Sequence, residues 1–214
     1  MPKPIVFCDL EGVLAPEMWP YLAAKFGVEE LAATTREEPD YRRLLDRRAR
    51  ALRARGMRLA EVCAAVSELK LFDGAASFVS ELRSFAHVVV VTDSFAPMNC
   101  SFLAEIPADR VLCHQFKTDV EGFISGYRFW NDLGGKHLCM SRYPGAAKAV
   151  TFGLGDALND ISMLRAVTAG ALFRPSAVTL QAAPDLHVAQ SYAEVLGFYM
   201  QHVPEREDMQ EAVH

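Results

Sequence analysis

The sequence contains no cysteine pairing of a recognisable kind. Its five cysteines, Cys8, Cys63, Cys100, Cys113 and Cys139, are odd in number, stand at least 13 residues apart and include no C-x-x-C. That spacing excludes the usual disulfide framework and thiolate metal sites, and all five read as reduced, small core residues. Long apolar runs are lacking too. The longest near the N-terminus, Ile5-Val6-Phe7-Cys8, stops at Asp9. It is too short for a signal peptide or a membrane-spanning helix, so a cytoplasmic chain with no membrane partner is expected. Also missing is a broad basic surface. The net charge is −5, and nine arginines crowd into residues 36–58, which carry +5 while the remainder carries −10. A chain acidic outside one short stretch makes a poor nucleic-acid binder. Repeats and low-complexity segments are absent.

What is present is 214 residues, 51% of them hydrophobic, enough for one generous domain or a core with a smaller insert. Runs without polar alternation occur at Ile5 to Asp9, His87 to Thr92, Val111 to His114, Ala149 to Leu154 and Gly170 to Phe173. Such runs suit strands covered on both faces. Helical patterns fall between them at 74–85, 158–167 and 191–201, so the fold class is α/β with a parallel sheet. Residues 115–130, with Gly122 and Gly126 around Phe123-Ile124, predict a hairpin. From Glu17 to Lys70 no strand-like run occurs, far more helix than a crossover needs. The expected organisation is an α/β core over 1–15 and 72–203, an inserted small helical cap over 16–71, and a mobile tail over 204–214.

Open parallel sheets bind their ligands beyond the carboxyl ends of the strands. Three such ends are polar in this sequence: Asp9-Leu10-Glu11-Gly12, Thr92-Asp93-Ser94, and Gly155-Asp156-Ala157-Leu158-Asn159-Asp160. Asp156 and Asp160, four apart across a helix start, can face one crevice. Taken singly, each of these residues is an ordinary turn or cap; their joint occurrence at strand ends points to a site. Gathered carboxylates require a cation, and an all-oxygen set favours Mg²⁺. Lys136, after Gly134-Gly135, can screen them and hold a phosphate as a point charge, although alone it reads as a solvated loop lysine. Asp93 and Ser94 are expected only to cap the following helix, and Trp19 and Trp130 only to pack.

Asp9-Leu10-Glu11-Gly12-Val13-Leu14, Thr92, Lys136 and Gly155-Asp156-Ala157-Leu158-Asn159-Asp160, in that order, resemble the four motifs of the haloacid-dehalogenase superfamily of phosphohydrolases. Within it the chain is similar to the phosphoserine phosphatases, and most to the bifunctional phosphoserine phosphatase/homoserine phosphotransferases, which share Glu11 where most members have Asp. The likeness runs from Ile5 to about Tyr199 and takes in Ala33-Thr34-Thr35-Arg36 and Pro39-Asp40-Tyr41. It departs at Phe129-Trp130-Asn131-Asp132-Leu133-Gly134-Gly135, before Lys136. The resemblance implies a Rossmann-like core, Asp9 as nucleophile, Glu11 as acid and base, and Thr92 and Lys136 on the phosphoryl oxygens. It also implies Mg²⁺ on Asp9, Asp156 and the Glu11 carbonyl with Asp160 ordering its water, and Asn159 fixing nucleophile or substrate. The implied partner is a small phosphorylated amino acid, O-phospho-L-serine, with homoserine as a second acceptor; a homodimer stays open.

On a helix from Asp40 to Arg55, Tyr41, Leu44, Leu45, Arg48 and Leu52 form one stripe, with Arg48 centred in it. A guanidinium placed there needs an anion, either a ligand's carboxylate or an internal acid such as Glu61 or Glu68. The resemblance implies the substrate carboxylate for Arg48 and the amino group for Glu17. The other arginines of the cluster read mainly as solvated surface. Two alternatives remain: a phosphatase for another small phosphomonoester, or a non-catalytic phospho-ligand-binding or regulatory protein.

Overall fold

A strand with no polar face needs cover on both sides, and β1 (Ile5–Cys8) is buried along its whole length. In the computed structural model, which describes residues 2–35 and 37–203, β1 is the centre of a seven-stranded sheet ordered β4-β3-β2-β1-β5-β6-β7. The strands β2 (His87–Phe95), β3 (Arg110–Thr118), β5 (Thr151–Gly155), β6 (Ala169–Phe173) and β7 (His187–Ala189) run parallel to β1; β4 (Ile124–Arg128) pairs antiparallel with β3. In register, Cys8 lies beside Val90 and Leu154. Asp9, the end of β2 and the end of β5 therefore open at one edge.

Between β1 and β2 the regular elements are all helical: α1 (Met18–Phe26), a 3₁₀ turn at Glu29–Leu31, α2 (Tyr41–Ala54), α3 (Leu59–Val66) and α4 (Ala75–Phe85). Side chains alternate across the sheet. Val6, Val88, Val90 and Leu154 face α1, α4 and α9 (Tyr192–Met200), and Phe7, Val89, Val91 and Leu172 face α6 (Cys139–Arg142) and α7 (Ile161–Ala166). The last helices are α5 (Ala96–Glu105) and α8 (Ala177–Ala182). The segment leaves and rejoins the sheet at one place, where the Phe72 N–H donates to the Leu14 carbonyl at 2.9 Å.

Asp40 starts α2, its carboxylate accepting from the Arg42 and Arg43 N–H groups. The buried side of α2 is Leu44, Leu45, Arg48 and Leu52, the stripe that spacing predicts. The other described arginines of 36–58 are exposed, as the sequence predicts, but some of them have partners. Arg53 pairs with Asp119 and Glu121 of the hairpin turn, Arg58 donates to the Glu121 carbonyl, and both guanidinium groups lie over Phe123. Arg42 lies over Phe129, 4.8 Å from the ring centre.

Other differences concern short elements. β7 has three residues, only one of them buried, and α8 has six, so neither carries a periodic signal. The expected helix at 158–167 opens with a 3₁₀ turn, Leu158–Asp160. Cys100 is exposed rather than core, and all five cysteines are free. The tail expected over 204–214 lies outside the described residues, as does Arg36. Among the described residues no helix is long and apolar enough to cross a membrane.

Candidate active site

After β1 the chain turns tightly, with Leu14 and Ala15 N–H groups both bonded to the Leu10 carbonyl. The turn requires Gly12, whose φ is +78° and whose missing Cβ would lie 2.4 Å from the Asp156 carboxyl carbon. Backbone and carboxylate are thus packed directly together. Asp9 is buried, and its Oδ1 accepts from the Leu10 N–H and from the Lys136 ammonium, each at 2.8 Å. Glu11 accepts the Met18 N–H at 2.7 Å.

At the end of β2 the ladder is irregular. Val91 pairs with Leu112 and Phe95 with His114, so Thr92, Asp93 and Ser94 stand opposite Cys113 alone. The bulge re-aims these residues toward the Asp9 edge. Thr92 is buried and its oxygen accepts the Ser94 N–H at 3.1 Å, which leaves its O–H to donate. Asp93 and Ser94 do not cap α5, whose N-cap position is Phe95. Instead Asp93 Oδ2 accepts from Asn159 Nδ2 at 3.0 Å.

Asp160 is fully buried and held by three donors: Oδ1 accepts from Lys136 at 2.7 Å, and Oδ2 from the Asp156 and Ala157 N–H groups at 3.0 Å each. Lys136 is no solvated loop residue; it is buried between Asp9 and Asp160. The preceding loop explains how it gets there. Asn131 accepts the Leu133 N–H, Asp132 and Leu133 take left-handed backbone, and the chain turns inward at Gly135.

Carboxylate oxygens of Asp9, Asp156 and Asp160 come within 4.8 Å of one another. Burial, and then the charge of Asp160, push the Asp156 carboxyl up to about 7 and Asp9 well above the usual carboxylate range, with Lys136 opposing both. Lys136 would be lowered by burial, but the Asp160 and Asp9 charges hold it protonated. Glu11 is pushed up to about 7 by burial, partly countered by the Met18 N–H. An oxygen-only cluster that resists its own ionisation fits a hard divalent cation such as Mg²⁺.

One cavity of about 150 Å³ is lined by Asp9, Glu11, Glu17, Arg48, Thr92, Lys136, Asp156 and Asn159, together with Trp19 and Asp93. Of the expected site residues only Asp160 stands behind the wall. Arg48 is buried, donates to the Ala33 carbonyl at 2.7 Å and lies over Trp19, 4.4 Å from the ring centre. Desolvation lowers its pKa to about 10. The internal ion pairs considered for it do not form. Glu61 pairs with Arg58 and Glu68 with Lys25, and among the described residues Arg48 has no carboxylate within ion-pair distance. Sequence reasoning missed Asp93, since an acid beside a strand end looks like a cap, and Trp19, since an aromatic beside a helix start looks like core.

Comparison with known proteins agrees with this geometry. Residues 7–165 match the haloacid dehalogenase-like hydrolase family. The chain is 32% identical over 194 residues to a phosphoserine phosphatase of Pseudomonas syringae pv. tomato, covering 89% of this chain and 80% of that protein. It is 31% identical to the phosphoserine phosphatase ThrH of Pseudomonas aeruginosa, covering 89% and 92%. The fold matches a substrate-bound phosphoserine phosphatase with a TM-score of 0.75 at 17% identity, covering 92% of this chain and 99% of the other. An apo phosphoserine phosphatase matches at 0.74 and 18%, covering 92% and 99%. With the family match spanning most of the chain and the four motifs meeting in one cavity, this chain belongs to the haloacid dehalogenase-like hydrolase family, as a hydrolase of its phosphoserine phosphatase branch.

Proposed function

We propose that this enzyme hydrolyses O-phospho-L-serine through an aspartyl-phosphate, with residues 16–71 acting as a cap over the site. The observation that carries the substrate is Arg48: a buried guanidinium without a carboxylate partner, in the same cavity as Asp9. A ligand bearing both phosphate and α-carboxylate satisfies both ends. Glu17, exposed on the same wall, takes the ammonium.

Asp9 Oδ1 is held by two donors, which leaves Oδ2 to attack phosphorus as the P–O bond to serine breaks. Glu11, with its carboxyl pushed up to about 7, gives its proton to the departing serine oxygen. It then takes one from the water that cleaves the acyl phosphate and regenerates Asp9. The Thr92 hydroxyl and Lys136 ammonium donate to the phosphoryl oxygens, where charge is greatest, and Asn159 fixes the substrate beside them. Asp9, Asp156 and the Glu11 carbonyl would hold Mg²⁺, with Asp160 behind them ordering its water. When bound, the ion neutralises charge on the transferring group. Glu11 reaches one methylene further than Asp, which favours including an alcohol such as homoserine among the acceptors.

The test is phosphate release from O-phospho-L-serine with Mg²⁺, with EDTA as control and with homoserine added in parallel. Turnover that vanishes in Asp9→Asn supports the reading. Turnover of sugar phosphates but not phosphoserine assigns another phosphomonoester, and binding without any turnover assigns a regulatory role.

A further inference from the structure

A carboxylate and a histidine outside the four motifs meet at the wall of the same cavity. Asp93 lines it, and His114, fully buried on β3, lies behind with Nε2 3.6 Å from Asp93 Oδ1. Neither of these two atoms has a hydrogen-bond partner among the described residues. The Trp130 backbone N–H points at His114 Nδ1 at 3.3 Å, so Nδ1 is the accepting nitrogen and the ring proton belongs on Nε2, facing Asp93. Burial holds the ring neutral, with a pKa of about 4.

Packing alone gives no reason for these residues. His114 sits edge-on among Phe95 and Phe129 and beside Tyr41, where an apolar ring would lose no hydration. Asp93 adds a negative charge to a wall that already holds Asp9, Glu11, Glu17 and Asp156. What the pair does supply is direction. Asn159 has an amide whose two ends are nearly identical in shape, and a carboxylate accepts only from the NH₂ end. The bond from Asn159 Nδ2 to Asp93 Oδ2 therefore fixes which end of the amide meets the ligand. The Tyr41 hydroxyl, from the first residue of α2, holds the Asp93 carbonyl at 2.8 Å, and His114 Nε2 faces Asp93 Oδ1 from 3.6 Å, longer than a hydrogen bond.

We propose that His114 and Asp93 are positioning residues that orient the Asn159 amide toward the bound phosphomonoester. The inference rests on the reading of the site given above and extends it to a second layer. It is tested by a double-mutant cycle. Asp93→Asn keeps the shape but lets either amide end bond to Asn159. His114→Phe keeps the ring packing without its nitrogens, and His114→Gln can return an N–H near the place of Nε2. Asp93→Asn is expected to lower kcat/KM roughly 10-fold, the scale of a lost hydrogen bond to a charged group, and His114→Phe about 3-fold, because its N–H faces Asp93 from beyond hydrogen-bond length. His114→Gln is expected to recover most of the loss. Asp93→Asn combined with Asn159→Ala should be no worse than Asn159→Ala alone, within about 2-fold, because the two act as one unit.

Multiplicative losses in the double variant overturn the proposal, as does wild-type kcat/KM in Asp93→Asn or a His114→Gln no better than His114→Phe. If His114→Phe does not fold, the Asp93/Asn159 cycle decides alone. All variants are measured on both O-phospho-L-serine and p-nitrophenyl phosphate. A wild type that turns over only the second refutes the phosphoserine assignment while the cycle still judges the dyad.

Discussion

Replacing Arg48 with Met removes a guanidinium and keeps a flexible apolar stem. The folded protein holds that guanidinium at a cost. Burial draws its pKa from 12.5 to about 10, which at roughly 1.4 kcal/mol per unit corresponds to about 3 kcal/mol. Against this stand the hydrogen bond to the Ala33 carbonyl, worth about 1 kcal/mol, and the contact with Trp19, worth about 1 kcal/mol. The balance puts Arg48→Met close to wild type in stability and on the favourable side, as expected where a buried charge lacks its partner. Catalysis moves the other way. Losing a charge-assisted pair to the substrate carboxylate lowers kcat/KM for phosphoserine roughly 100-fold, whereas p-nitrophenyl phosphate, which has no such carboxylate, stays within about 2-fold. Thermal melts and steady-state kinetics on the two substrates measure both effects. Equal losses on both substrates, together with a lowered Tm, refute the reasoning and make Arg48 a structural residue.

Gly12→Ala places a methyl group where the Asp156 carboxylate now lies and forces a side chain into φ +78°. Mg²⁺ titrations of activity should show affinity reduced by about 10- to 100-fold, the usual cost of displacing a ligand's support; an unchanged Mg²⁺ dependence removes Asp156 from the metal set. Asp156 and Glu11 are both raised to about 7, so the folded state binds their protons more tightly than the unfolded chain. Their contribution to stability is full below the unfolded carboxylate range and is lost as pH rises toward and through 7. In EDTA the Tm is therefore expected to fall from pH 5 to pH 8. Added Mg²⁺, which need displace no proton at pH 8, should stabilise more there than at pH 5. Equal stabilisation at the two pH values contradicts the raised Asp156.

The sheet and the ends of its strands were legible because buried parallel strands write themselves as unbroken apolar runs. The polar residues that end Ile5–Cys8 and Thr151–Gly155 stand out against them. Helical phase was equally plain on α2, where a lone Arg48 interrupts a leucine stripe. What stayed hidden depends on contacts distant in sequence. Asp93 and His114 lie on different strands and meet only because β2 bulges between Val91 and Phe95, and no local pattern announces a bulge. The partners of the exposed arginines were out of reach for the same reason: the acids that bind Arg53 are in a hairpin turn 66 and 68 residues away. Lys136 was placed in the site by its motif, but its burial between Asp9 and Asp160 depends on the folded turn at Asn131 to Gly135, which the glycines before it do not announce.

The single hydrogen bond between Phe72 and Leu14 has a bearing on how such a molecule can be altered. The chain leaves β1 and returns toward β2 at neighbouring points, so the 57 residues between them begin and end at one place on the sheet. They are not detachable from it, because Met18 and Leu22 of α1 belong to the same buried core as Val6 and Val90, and the Met18 N–H holds Glu11. Selectivity is therefore open to redesign around Arg48 on α2 only while α1 stays in place, since the reaction borrows its acid's position from that helix.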